Sequence, residues 1–299
     1  MLRFGMLGCR HSCFLLFAYG EVVQNVARRP AVLATDLDGT LIPLDQDPQQ
    51  RRDLQILADL LHAETVGLVF VTGRHFASVE SAFLEFGLPQ PEWVLCDVGT
   101  SIYARQGDSN YELLTAYAQH LAGLVGEKDV DWIGALLQKV SGLRMQESEK
   151  QGPYKLSFYC NAAAVGEKVR QIEMVAEAND APYSVVGSID PFTHDGLIDL
   201  LPRGVSKAYA LKFWAEQQKV DPGAILFAGD SGNDLAALTA GYRAILVRNA
   251  AADVVESVQQ ALSDKGQQDS FFHATEPATS GVLQGVRNYL SPFSDSPKA

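Results

Sequence analysis

Basic residues are what this chain has too few of. Its 299 residues hold 24 Lys and Arg against 36 Asp and Glu, a formal net charge of −12. Phosphate backbones are gripped by Lys and Arg, so this balance argues against a nucleic-acid-binding surface. It still permits a small anionic substrate, which needs only a locally positive pocket. Long apolar runs are also missing: no stretch approaches the roughly 20 residues that span a bilayer, so no membrane partner is expected. Cysteine is scarce. Cys9, Cys13, Cys96 and Cys160 are too few and too scattered for a disulfide scaffold. The cluster "CRHSC" lacks the second ligand pair downstream that a metal site of that kind needs. Thiols in a reducing, cytoplasmic compartment are the simpler expectation.

The first 29 residues stand apart. Arg3 and Arg10 precede a short apolar patch from Cys13 to Tyr19, at the short end for a leader and with no A-x-A-like cleavage site after it. They are expected to form a poorly ordered extension, with a start placed too far upstream or a targeting segment as alternatives. The tail after Leu290, "SPFSDSPKA", is polar and Pro-containing, and reads as disordered.

Between them the chain is patterned. "PAVLAT" reads as a buried strand that ends at two acids, Asp36 and Asp38, in "TDLDGTL". "QQRRDLQILADLLHA" places Leu54, Leu57, Leu60 and Leu61 at helical spacing. The strand "VGLVFV" then runs into Thr72-Gly73-Arg74, the helix "HFASVESAFLEFG" ends at Gly87, and "EWVLCDVGTSIYA" reads as another strand and turn. Strands alternating with helices predict a doubly wound, Rossmann-like parallel sheet. From residue 108 to 196 the pattern changes to longer helices and more exposed strands, which predicts an inserted α+β cap. The sheet style resumes with "LIDLLP", so the core is expected over 30–107 and 197–290. The last helix, "SGVLQGVRNYL", shows Val282, Leu283, Val286, Tyr289 and Leu290 on one face.

If strands end at Asp36, Thr72 and Asp230, their polar groups meet along one edge of the sheet, where open α/β sheets place ligands. Lys207 follows Ser206, a good N-cap, at the start of a further helix. An acid pair, a hydroxyl, an ammonium and a second acidic cluster are parts for phosphoryl transfer. An aspartate can accept a phosphoryl group as an acyl phosphate, splitting one hard step into two. Two anions approach only with a cation between them, and Mg²⁺, hard and oxygen-seeking, suits one or two carboxylates plus phosphate. Lys207 and Thr72 would then grip the phosphate oxygens.

The motifs "DLDGTL", "VTGR", "SK" and "GDSGND", in this order with a long insert between the second and third, resemble those of the haloacid dehalogenase superfamily. "CDVGTSIY", "YKLSFYC", "DLLPRGVSK" and the terminal helix resemble its sucrose-phosphate phosphatase branch, over roughly 31–290. The resemblance implies a Mg²⁺-dependent enzyme that cleaves sucrose 6-phosphate through an aspartyl phosphate. It makes Asp36 the nucleophile and Asp38 the general acid and base. Asp36, the Asp38 main-chain carbonyl and Asp230 would hold Mg²⁺, with Asp234 in support. Thr72 and Lys207 would bind phosphate, and Gly73 would help Thr72 approach it. Gly39 would turn the chain after the acids, with Thr40 bracing the turn.

The cap must read the leaving group. Lys155 and Ser157 in "YKLSFYC" lead as sugar contacts, with Arg74 and Asn233 as further candidates; Arg74 is equally suited to a salt bridge with a neighbour. Other readings are a phosphatase for mannosyl- or glucosyl-phosphoglycerate, a phosphohexomutase, and a non-catalytic partner domain of a sugar synthase. Association of an active phosphatase with a sugar-phosphate synthase is also open.

Overall fold

A computed structural model describes residues 28–43, 47–107, 110–190 and 193–291. The N-terminal extension up to residue 27, with its "CRHSC" cluster, and the tail from residue 292 lie outside the described residues.

Just after Pro30, β1 (Val32–Thr35) is buried along its whole length and delivers Asp36 at its carboxyl end. Helix α1 (Pro48–Glu64) begins where the Asp47 side chain accepts from Gln49 N, and it stops at Thr65 in the left-handed conformation. Its Leu54, Leu57 and Leu61 pack on the sheet, and each such leucine contributes roughly 1.5–3 kcal/mol by leaving water. The chain continues through β2 (Gly67–Val71), α2 (Phe76–Phe86) and β3 (Trp93–Cys96). It then folds back through β4 (Ser101–Gln106) and β5 (Asn110–Leu113). Next come α3 (Thr115–Val125), α4 (Val130–Leu137), β6 (Arg144–Met145), β7 (Leu156–Cys160), α5 (Val165–Ala178), β8 (Tyr183–Ile189) and β9 (Gly196–Pro202). The closing run is α6 (Lys207–Gln218), β10 (Ile225–Gly229), α7 (Leu235–Leu238), β11 (Arg243–Leu246), α8 (Ala252–Asp264), β12 (Phe271–His273) and α9 (Ala278–Leu290).

Among the described residues these strands form two sheets. The larger has the order β12-β11-β10-β1-β2-β3-β4-β5, parallel from β12 to β3 and antiparallel at β4 and β5. One of its faces packs on α1, α2 and α9; the other packs on α3, α6, α7 and α8. The expected doubly wound core is therefore present. Winding reverses between β1 and β10, which pair in register from Val32 opposite Ile225 to Thr35 opposite Ala228. Chains leave this switch point in opposite directions and open a crevice beyond the strands' carboxyl ends.

The smaller sheet, β6-β7-β9-β8, is antiparallel throughout and packs on α4 and α5. Three expectations change here. β5 lies beyond residue 108 but pairs with β4 in the larger sheet, so the insert starts later than expected. β9, the "LIDLLP" strand assigned to the parallel core, is an inner strand of the smaller sheet, between β7 and β8. A short apolar run is the same signal for a parallel core strand and for any strand flanked on both sides. β7, read as more exposed, is buried throughout, because it too has a neighbour on each side and helices behind it. Among the described residues, no helix is long and apolar enough to cross a membrane.

Candidate active site

The switch point gathers the two acidic motifs. Asp36 N donates to Ala228 O at 2.9 Å, which ties the end of β1 to the end of β10. Gly39, with φ of 78°, then turns the chain back so closely that a Cβ there would lie 2.4 Å from Asp230 Oδ2. Only glycine fits both that backbone and that approach. Thr40 Oγ1 donates to Asp230 Oδ1 at 3.1 Å, so its hydroxyl braces the acid on the neighbouring strand.

Lys207 enters from the first turn of α6, where the Ser206 hydroxyl accepts from Tyr209 N. The amine is buried and donates to Asp36 Oδ1 at 2.7 Å and to Asp234 Oδ1 at 2.8 Å. Burial works against its charge, but Asp234 and Asp36 outweigh that and hold its pKa above the ordinary lysine value. Asp234 is fully buried, and its Oδ2 accepts from Asp230 N, Ser231 N and Ser231 Oγ. That capping box fixes the loop after β10.

Carboxylate oxygens of Asp36, Asp230 and Asp234 can all lie within 4.8 Å of one another. Burial and crowding raise the proton affinity of Asp36 and Asp230. Burial pushes Asp36 well above the usual carboxylate range, Asp234 and Asp230 add to this, and Lys207 opposes it. Burial, followed by Asp234, pushes Asp230 up to about 6. One ammonium does not satisfy three acids, and the remaining donors are all oxygen, the set that suits a hard cation.

Asp38 and Arg74 form a two-pronged pair, Nε to Oδ2 at 2.7 Å and Nη2 to Oδ1 at 2.6 Å. Thr72 lies at the end of β2; its Oγ1 accepts from Arg74 N at 3.2 Å, and its own amide is tied to Leu95 O on β3.

A buried carboxylate bonded to a lysine beside two further acids at a switch point suits phosphoryl transfer, and the model of the sucrose-6F-phosphate phosphohydrolase family matches residues 29–290. The chain belongs to this family. Within it, mannosylfructose-phosphate phosphatase of Agrobacterium fabrum is 31% identical over 264 residues, covering 86% of this chain and 96% of its own. A protein of Nitrosococcus oceani described as HAD-like is 33% identical over 280 residues, covering 88% of this chain and 72% of its own. The sucrose-phosphatase of Synechocystis, solved with sucrose and phosphate, shares the fold with a TM-score of 0.68 at 22% identity, over 88% of this chain and 98% of that one. This phosphohydrolase is thus a sugar-phosphate phosphatase, a phosphoric monoester hydrolase of the haloacid dehalogenase superfamily.

In the phosphohydrolase, Asp36, Lys207, Asp230 and Asp234 come together directly, and Asp38 is turned to Arg74. The salt bridge open to Arg74 is therefore formed. Gly73 is exposed, its φ is not left-handed, and a Cβ would meet only Val98 Cγ2 at 3.9 Å. No protein atom requires glycine there, so any space it keeps is space for a ligand. Asn233 is exposed on the loop after β10.

Lys155 and Ser157 are buried. The Ser157 hydroxyl donates to Asp199 Oδ1 at 2.5 Å across the β7–β9 ladder, and the Lys155 amine reaches Asp97 Oδ1 at 3.5 Å and Lys150 O at 3.2 Å. Asp199 was detectable as the polar break in "LIDLLP", opposite the serine in register. Asn249 carried no signal: its Nδ2 donates to Gly39 O at 2.8 Å and its Oδ1 accepts from Ala278 N at 2.9 Å, contacts that exist only once the chain is folded.

Proposed function

We propose that this phosphatase hydrolyses sucrose 6-phosphate with Mg²⁺ as cofactor and Asp36 as phosphoryl acceptor. The observation that carries the chemistry is the buried Lys207 amine, shared between Asp36 and Asp234 beside Asp230. The family and the sucrose-phosphatase fold support the substrate.

Asp36, the Asp38 main-chain carbonyl and Asp230 would hold the ion, with Asp234 behind them. When bound, Mg²⁺ would offset the negative charge of the acids and the incoming phosphate. Lys207 and Thr72 grip the nonbridging phosphate oxygens, and Lys207 keeps Asp36 aligned through Oδ1. The Asp36 carboxylate attacks phosphorus; the P–O bond to the sugar breaks, and the leaving oxygen takes a proton from Asp38. Asp38, now a carboxylate, then takes a proton from water as the water oxygen attacks phosphorus. Phosphate leaves and both aspartates return to their starting forms. Arg74 holds the Asp38 carboxylate in place between these steps.

The cap reads the sugar. Ser157 and Asp199 lie opposite each other across the ladder, and Tyr159 lies on the same face two residues along β7. Hydroxyl, carboxylate and aromatic groups on one face, with Asp199 the half-buried member that stays accessible, suit a polyhydroxylated leaving group. A second reading, mannosylfructose phosphate, is favoured by the 31% identity to the Agrobacterium enzyme.

The test measures inorganic phosphate released from sucrose 6-phosphate, mannosylfructose phosphate and glucosyl-phosphoglycerate, with Mg²⁺ or with EDTA. The reading predicts preference for sucrose 6-phosphate and silence in EDTA. Preference for another panel member would overturn the substrate and keep the chemistry.

A further inference from the structure

The segment "CDVG" at 96–99, between β3 and β4, has no part in the chemistry above. Its backbone is unusual. Asp97, Val98 and Gly99 have φ values of 53°, 58° and 94°, three successive residues in the left-handed region. Valine disfavours that conformation strongly, so the surroundings must impose it.

Those surroundings are the phosphate grip itself. Val98 N donates to Thr72 O at 3.2 Å and Asp97 N to Arg74 O at 2.8 Å, so the turn fixes the loop that carries the Thr72 hydroxyl. On the other side, a Cβ at Gly99 would lie 2.3 Å from Ser206 O and 3.0 Å from Lys207 N. The turn therefore seats the first residue of α6, whose amine aligns Asp36. Its far end is held by the buried Tyr117 of α3, whose hydroxyl donates to Gly99 O at 2.6 Å. The Asp97 carboxylate has the Cys96 thiol 3.7 Å from Oδ2, and a further partner that comes from the insert. Lys155, 5% exposed and one residue before β7, places its amine 3.5 Å from Asp97 Oδ1. The same amine lies 4.0 Å from Asp199 Oδ1, and without it the Asp97 carboxylate keeps the Cys96 thiol but has no ammonium against its charge.

We propose that the Asp97–Gly99 turn is a positioning device that ties the placement of Thr72 and Lys207 to the cap through the Lys155–Asp97 ion pair. Lys155 holds Asp97, Asp97 holds the left-handed turn, and the turn holds both phosphate-gripping residues. The four-stranded sheet then does more than contact the sugar: its seating on the core sets the geometry of the phosphate site. Lys155, Asp97 and Tyr117 are positioning residues in this account, which rests on the phosphatase reading above.

The experiment uses the full chain and the variants Lys155→Met, Asp97→Asn, their double, Lys155→Arg and Tyr117→Phe. Each is assayed for kcat and KM on sucrose 6-phosphate and on p-nitrophenyl phosphate, which offers no sugar for the cap to read. Affinity for inorganic phosphate with Mg²⁺ is measured by calorimetry, and folding by circular dichroism. Lys155→Met and Asp97→Asn are each expected to lower kcat about tenfold on both substrates and to weaken phosphate binding about tenfold. The double variant is expected to be no worse than either single one, Lys155→Arg to recover most of the loss, and Tyr117→Phe to lower kcat on both substrates with the cap pair intact. A loss confined to KM for sucrose 6-phosphate, with p-nitrophenyl phosphate and phosphate binding unchanged, would make the pair a plain sugar contact and overturn the proposal. So would additive losses in the double variant. If the unmodified chain hydrolyses neither substrate, the function fails, and the phosphate affinities alone still decide the role of the turn.

Discussion

Asp36 carries two opposed demands. As the proposed phosphoryl acceptor it must be ionised, yet burial and its acidic neighbours raise its pKa, and Lys207 only partly offsets them. An acid whose folded pKa lies above its unfolded value costs stability when ionised. Asp36→Asn keeps the shape, removes that cost and leaves Lys207 paired with Asp234. This variant is expected to lose activity by ~10⁴-fold or more. Its melting temperature in EDTA at neutral pH should rise by about 2–4 °C. Phosphate release and a thermal melt on the same sample check both, and a lower melting temperature would contradict the electrostatic account. The acids, Thr72 and Lys207 were legible because each sits at a strand or helix end that local pattern already marks. Asp97 and Val98 were not. Aspartate and valine carry no sequence signal for the left-handed backbone they adopt, and valine argues against it.

At the scale of elements, close packing of α9 on β11 depends on absent side chains. A Cβ at Gly285 would meet Ile245 side-chain atoms at 2.6–2.8 Å, and one at Gly281 would meet Glu276 O at 2.3 Å. The helix is further anchored to α1, where Ser280 Oγ donates to Asp53 and Ser280 N to Gln50 Oε1. Gly285→Leu should therefore destabilise the fold by about 1–3 kcal/mol through overpacking, against a small gain in helix propensity. Chemical denaturation measures this, and an unchanged midpoint would show that the interface has slack. The apolar face of α9 was plain from Val282, Leu283, Val286 and Leu290, all of which are buried. β9 was misplaced for the opposite reason: "LIDLLP" is a short apolar run broken only by Asp199, and pattern alone cannot say which sheet it joins.

Across the whole molecule, acid crowding makes stability depend on pH and on the cation together. Asp230 is raised from 3.8 to about 6, so between about pH 4 and 6 it holds more proton in the metal-free fold than in the unfolded chain, and its contribution to stability falls as pH rises. A cation that binds the ionised cluster opposes this trend. If Mg²⁺ is that cation, as proposed, it is expected at about 100 times its dissociation constant to add about 2.7 kcal/mol, or roughly 5 °C or more in melting temperature, at pH 7.5. At pH 5 the gain should be smaller, because protons compete for the same oxygens. Melts in EDTA and in Mg²⁺ at the two pH values test this; an equal gain at both would separate the metal from these acids. The two-sheet plan followed from the change of pattern near residue 108, but where the insert begins and ends depended on strand pairings that link distant segments.

The central claim is that Asp36 takes the phosphoryl group. It is tested most directly by acid-quenching the enzyme during turnover of sucrose 6-phosphate and mapping peptides by mass spectrometry. The account predicts one added phosphoryl group on the peptide that carries Asp36, lost in the Asp36→Asn variant. Turnover with no phosphorylated peptide, or with the group on another residue, would contradict it.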